Sequence, residues 1–217
     1  MSLIYENKVP NNRVAFIRKV REISSNLGIN PNWLMAVMNF ESGLNPKAVN
    51  KFSGATGLIQ FMPNTAKGLG TTTSDLYKMS NVKQLDYVYR YYKPYASKIT
   101  RYVDLYLATI FPAALNKSKN YVLQTDTIRA DTIATQNPVF DKNKDKKITV
   151  GEIEKEKLSR IPLDWVDEFK TNMDSVGKFA QRNWLGITVS ILTIATVAYF
   201  AYRHRQQIIK NIDKTIS

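Results

Sequence analysis

Among the residues of this sequence able to do chemistry, Glu41 has the most telling surroundings. Leu34, Val37 and Met38 recur at i, i+3 and i+4, and Glu41 takes i+7 of the same stripe. On a helix that spacing turns a carboxylate inward. Gly43 then ends the helical pattern and opens a stretch of Gly, Pro, Ser, Thr and Asn reaching to Gly70. A carboxyl at such a junction is half desolvated, which raises its pKa toward that of a working general acid. Taken alone, the same pattern also describes a solvated or capping glutamate. Composition removes most competing chemistries. The 217 residues include no Cys and a single His, His204, set among basic residues near the C-terminus. Disulfides, thiolate nucleophiles, Cys-type zinc sites, Ser-His-Asp triads and multi-histidine metal centres are therefore excluded. Carboxylates, hydroxyls and lysines remain.

A second constellation lies at residues 141–152, DKNKDKKITVGE. Oxygen-bearing side chains fall at Asp141, Asn143, Asp145, Thr149 and Glu152, the spacing of a twelve-residue EF-hand loop. Lys147 would add its backbone carbonyl, Ile148 a short strand contact, and Glu152 a bidentate carboxylate as the next helix begins. Lys146 stands where that loop wants glycine, and the surrounding lysines repel a dication, so tight calmodulin-like affinity is not expected. The reading is a structural calcium ion; a solvated Asp/Asn/Lys turn is its alternative. No organic cofactor is expected.

The elements that must position these groups read as mostly α. Arg13 to Leu27 carries apolar residues at helical spacing and stops at Gly28, and Asn30-Pro31 is a cap and first-turn signal for the helix bearing Glu41. Asn81 to Tyr92 and Arg101 to Leu115 are further helices, the latter with Pro112 near its end or at a kink. Gly43 to Gly70 is loop or short hairpin. Val150 to Arg160 and Leu163 to Phe179 follow as amphipathic helices. Residues 184–202, WLGITVSILTIATVAYFAY, carry no charge over about the length that crosses a bilayer, with Trp and Tyr at the ends and Arg203, His204 and Arg205 beyond. They are read as a membrane span, with a buried core helix as the alternative. Flanking charges favour a cytoplasmic-type C-terminus only slightly. The first residues, Met1 to Asn12, lack the apolar run of a cleavable export signal.

From Glu41 the sequence continues ESGLNPKAVNKFSGATGLIQFMPNTA. Glu41-Ser42, Asn45-Pro46, the run Gly54-Ala55-x-Gly57-Leu58-x-Gln60, and Met62-Pro63-x-Thr65-Ala66 together make the chain resemble the lytic transglycosylases of the lysozyme superfamily. QLDYVYRYYKPY and DLYLATIFPAAL look like segments of phage-borne members, so the resemblance spans roughly residues 13–160. It implies a lysozyme-like α+β fold with a small hairpin and Glu41 as catalytic acid. Gln60 and Phe61 would line the sugar cleft, with Ser42 in support. Many soluble members carry Ala-Tyr-Asn-Ala-Gly where this chain has Ile110 and Phe111 in LATIFPA. Tyr106 or Tyr121 would then supply the N-acetyl contact, though either could equally be a core residue.

Residues Ser42 to Ser74 contain no Asp or Glu, so the second carboxylate of a paired mechanism is missing from the cleft hairpin. A single-glutamate route with 1,6-anhydro product is favoured over hydrolysis, for which a remote acid such as Asp104 would be needed. The expected organisation is an arm at 1–12, a transglycosylase domain at 13–125, a calcium-loop segment at 126–160, a juxtamembrane helix at 161–183, a span at 184–202 and a basic tail at 203–217. The substrate would be the MurNAc-GlcNAc β-1,4 bond of peptidoglycan, and the partners a lipid bilayer and other virion or envelope proteins. The favoured setting is the internal membrane of a phage virion, opening the wall as the genome enters the host cell; otherwise it is a bacterial envelope. A muramidase of the same fold, or an inactive wall-binding membrane protein, is the alternative. The net charge of +13 suits an anionic wall polymer or phosphate heads; its dispersal argues against nucleic acid.

Overall fold

A helix buried on every side organises the molecule. The computed structural model describes residues 2–170, and in it Trp33 to Met38 are all fully buried within α2 (Pro31–Ser42). The sequence shows one apolar stripe on this helix, but Trp33, Met35 and Ala36 cover the remaining faces, and a helix apolar all round belongs inside a core. Its start is fixed by Asn30, whose side chain accepts from Asn32 N at 2.8 Å, with Pro31 at the first helical position. Its end is fixed by Gly43 and Leu44, both left-handed (φ 62° and 64°), whose N–H groups donate to Asn39 O and Met38 O.

Four further helices share one core with α2. α1 (Arg13–Leu27) presents Phe16, Val20, Ile23 and Leu27 inward. α5 (Asn81–Tyr92), capped by Ser80, packs Leu85, Val88 and Tyr92 inward. α6 (Tyr102–Ile110) is buried from Tyr102 to Ala108. It ends before the expected Leu115, because Pro112 disfavours helical geometry at Phe111 (φ −155°, ψ 73°). A 3₁₀ turn, Pro112–Ala114, follows. α8 (Val150–Leu158) buries Val150 and Ile153. Short helices α3 (Pro63–Gly68), α4 (Thr73–Lys78), α7 (Ala130–Gln136) and α9 (Val166–Lys170) complete the described part.

The expected hairpin carries almost no sheet. Among the described residues, pairing is limited to isolated antiparallel bridges, Val49 with Thr56, Thr56 with Phe61, and Val122 with Thr149. Gly54, Gly57 and Gln60 are all left-handed there, which curls the chain too tightly for a ladder. The fold is thus mostly helical, with a turn-rich loop in place of a β element.

The segment at 126–160 shares one core with the residues before it. Phe140, Ile148, Ile153, Ile161 and Phe169 lie in the same buried cluster as Phe16 and Trp33. Asn30 Nδ2 and Asn32 Nδ2 donate to Glu168 Oε1 at 2.7 and 2.6 Å, and Tyr102 meets Phe169 edge-on at 4.7 Å. Of the helix expected from Leu163 to Phe179, the described part is a 3₁₀ turn at Leu163–Trp165 followed by α9. No helix among the described residues is long and apolar enough to cross a membrane. The run at 184–202, and the tail beyond it, lie outside the described residues.

Candidate active site

Glu41 sits in the last turn of α2, where buried helix gives way to the loop. Its carboxyl makes no hydrogen bond and no ion pair among the described residues. Burial raises its pKa, opposed by the positive charge of Lys157. Its negative charge in turn acts on the phenols of Tyr91 and Tyr92 from α5 and of Tyr102 and Tyr106 from α6. Burial comes first in raising each of them, and for Tyr91 the result is about 12. A lone, partly desolvated carboxyl among neutral phenols and one ammonium keeps its proton to higher pH than a solvated one and can release it to a basic oxygen.

Ser42 and Gln60 hold the loop against the helix. Ser42 Oγ lies 3.0 Å from Met38 O and 2.9 Å from Leu58 O, shared between the two acceptors. Gln60 Nε2 donates to Ala48 O and Gly57 O at 3.3 and 3.1 Å, closing the turn on itself. Phe61 occupies the core rather than the cleft wall: it is 2% exposed and meets Tyr91 edge-on. Behind them stands Gln84, fully buried on α5. Its Oε1 accepts from Leu58 N at 3.0 Å, while Nε2 donates to Pro46 O and Leu76 O at 2.6 and 2.7 Å. Gly57 is required here twice over, by φ +84° and by Gln84 Oε1, which lies where a Cβ would be.

The two tyrosines expected at the sugar part company. Tyr106 is buried beside Glu41, and its hydroxyl has no hydrogen-bond partner among the described residues. Tyr121 lies under Lys117, 5.3 Å from ring to ammonium, with its hydroxyl 3.5 Å from Gln124 O. Asp104, the remote acid a hydrolase would need, is committed elsewhere. Its carboxylate is 0% exposed and takes both prongs of Arg101 (Nη2 at 2.7 Å, Nε at 3.1 Å) and Arg101 N at 2.9 Å.

The matched region follows from these residues. Residues 18–94 match the Transglycosylase SLT domain. The SLT domain contains Glu41, Ser42, the loop and α5, and it supports a transglycosylase-type enzyme that cleaves peptidoglycan. Tyr106 and Lys157 lie beyond it.

Lys157, whose charge acts on Glu41, is a residue that the sequence reading did not single out. It is 7% exposed, with Nζ 3.8 Å from the Tyr106 ring centroid and 5.4 Å from those of Phe40 and Phe140. Burial lowers its pKa to about 8 against the pull of Glu41. The signal was present: Val150, Ile153 and Lys157 recur at i, i+3 and i+7, the stripe logic that singles out Glu41.

The EF-hand-like loop is half formed. Asp141 Oδ2 accepts from Lys146 N at 3.2 Å, Asn143 Oδ1 from Asp145 N at 3.2 Å, and Asp145 Oδ1 from Lys147 N at 2.9 Å. Lys146 adopts the left-handed conformation a glycine would take (φ 62°), and Leu123 N donates to Ile148 O, the short strand contact. Asp141 Oδ1 is buried without a partner. Glu152 is turned the other way, accepting from Thr149 N and Oγ1 at 2.8 Å in a capping box. Among the described residues no three Asp, Glu, His or Cys side chains converge to hold a metal ion.

Proposed function

We propose that this protein is a lytic transglycosylase that cuts the MurNAc-GlcNAc β-1,4 bond of peptidoglycan with Glu41 as its single acid and base. The observation that carries the reading is an unpartnered, partly desolvated carboxyl where α2 meets the loop, while Asp104 is sealed under Arg101. Glu41 donates its proton to the glycosidic oxygen, and the bond to the anomeric carbon breaks. The substrate's own acetamido oxygen stabilises the resulting positive carbon, a recognised departure from the paired-carboxylate scheme. Glu41, now a carboxylate, removes the proton of the C6 hydroxyl, whose oxygen closes the 1,6-anhydro ring. Tyr106, with its free hydroxyl beside Glu41, is the group proposed to contact the N-acetyl, in place of the polar residues that LATIFPA lacks.

Digestion of purified sacculi tests this. Glu41→Gln keeps the shape and removes the proton chemistry, so turnover falls by about 10²-fold or more. Undiminished release of muropeptides by the variant would contradict the assignment.

A calcium-type ion in the 141–152 loop belongs to the same proposal as a structural clip. Asp141, Asn143, Asp145 and the Lys147 carbonyl would hold it, and the partnerless Asp141 oxygen supports it; Thr149 and Glu152 would join only on leaving their capping box. Millimolar calcium should raise Tm over the chelator-treated protein, and Asp141→Asn should abolish the rise. An equal Tm in both conditions would leave the loop an ordinary turn. The apolar run at 184–202 and a virion membrane, with a bacterial envelope as the alternative, are the proposed anchor and setting.

A further inference from the structure

Lys157 is an expensive residue to keep where it is. A lysine ordinarily lays its stem along apolar surface and returns its ammonium to water. Here the ammonium rests against three aromatic rings, from Phe40 on α2, Tyr106 on α6 and Phe140 before the 141–152 loop. It has no hydrogen-bond or ion-pair partner among the described residues. The neighbouring carboxylate on its own helix, Glu156, is taken by Lys142 and by Arg160, the latter 2.6 Å from Nη2 to Oε1. Facing Lys157 from α2 is Glu41, outside ion-pair distance yet close enough that each charge acts on the other. Core packing alone does not call for this, since an apolar side chain would fill the aromatic cage without desolvating a charge.

We propose that Lys157 is a positioning residue of the reacting centre: its caged ammonium, brought in by α8 from beyond the SLT domain, faces Glu41 and holds that carboxylate once the proton has left. The inference rests on the proposed function for its chemistry and on the cage for its geometry. Aromatic faces favour the charged form of the amine, so the cage keeps a cation in a place from which water is largely removed. The groups facing Lys157 are Glu41 from α2, Tyr106 from α6, and Glu156 and Arg160 from its own helix and the residues following it. Tyr106 is neutral, and Glu156 is shared between Lys142 and Arg160, which leaves Glu41, among the described residues, as the one facing carboxylate not already taken by another cation. With Lys157 charged, Glu41 is a stronger acid, and the carboxylate formed at bond breakage is stabilised while it waits for the C6 hydroxyl. Without that charge, Glu41 grips its proton more tightly.

The test compares wild type, Lys157→Met and Lys157→Arg by activity on a soluble glycan against pH and by carbon-13 NMR of the Glu41 carboxyl. Because Glu41 must start protonated, activity falls as pH rises through its pKa. Removing the charge should move that alkaline limb upward by on the order of half a pH unit and lower kcat by about ten-fold. The NMR midpoint of Glu41 should rise with it, and Lys157→Arg should restore both. A lysine that merely fills space would lower activity at every pH without moving limb or midpoint, and that result overturns the proposal. Wild type provides a check free of substitution: the Glu41 signal should show a second inflection near pH 8, where Lys157 loses its proton; its absence counts against the coupling. A wild type with no turnover would overturn the proposed function, while the NMR comparison still decides the coupling.

Discussion

Glu41 is held at a cost that its substitution should reveal. Burial places its folded pKa above the unfolded value, so the ionised form is less at home in the folded chain than in the unfolded one. Its contribution to stability is complete below the unfolded carboxylate range and is lost as pH rises through the folded pKa. Glu41→Gln should therefore melt at a higher temperature than wild type at about pH 8, and the gap should close toward about pH 4. A thermal melt series over that range checks it, and a gap that widens on acidification would contradict it. Asp104 is the opposite case. Its carboxylate is structural, and breaking such a buried pair costs about 3–5 kcal/mol, roughly 6–20 °C in Tm at this chain length. Asp104→Asn should fall toward the lower end of that range while retaining turnover per folded molecule. Loss of turnover with an unchanged melt would instead make it a catalytic carboxylate.

Helices with clear stop signals were legible and short ones were not. Arg13–Leu27 and Asn81–Tyr92 coincide with the sequence reading because Gly28 ends the first and the side chain of Ser80 caps the second. α4 and α7 bury only Leu76, and Ile133 with Ala134, too few apolar residues to show a period. Composition left Gly43 to Gly70 as loop or short hairpin and the family resemblance implied the hairpin, but left-handed residues and side-chain hydrogen bonds hold the segment instead. Gly57→Ala tests that description. A left-handed alanine costs about 1–2 kcal/mol, and displacing Gln84 from Leu58 N adds about 1–3 kcal/mol. A denaturant midpoint near that of wild type would show that the loop is not locked by Gln84. The stripe rule singles out Glu41 on α2 but was not carried to α8, which reads only as an amphipathic helix. What made Lys157 hard to see is that its aromatic cage is assembled from three distant parts of the chain.

At the scale of the molecule, the SLT domain at residues 18–94 contains Glu41 and the loop, and the chain after it contributes Tyr106 and Lys157, whose phenol and ammonium interact with that carboxylate. The extension is tied down by Glu168 on Asn30 and Asn32, by Phe169 on Tyr102, and by Tyr5 Oη donating to Arg160 O at 3.2 Å. Those contacts hold the chain that follows α8, and α8 carries Lys157. Such tertiary ties join residues far apart in sequence, which is why composition and periodicity gave the helices but not how the extension closes on the site. The proposed single working carboxylate predicts one kind of product. Mass spectrometry of muropeptides released from sacculi by the full-length protein should find 1,6-anhydro-N-acetylmuramic acid ends, with no water added across the cut bond. Reducing ends, each heavier by one water, would contradict the single-glutamate account and require a second group that activates water beside Glu41.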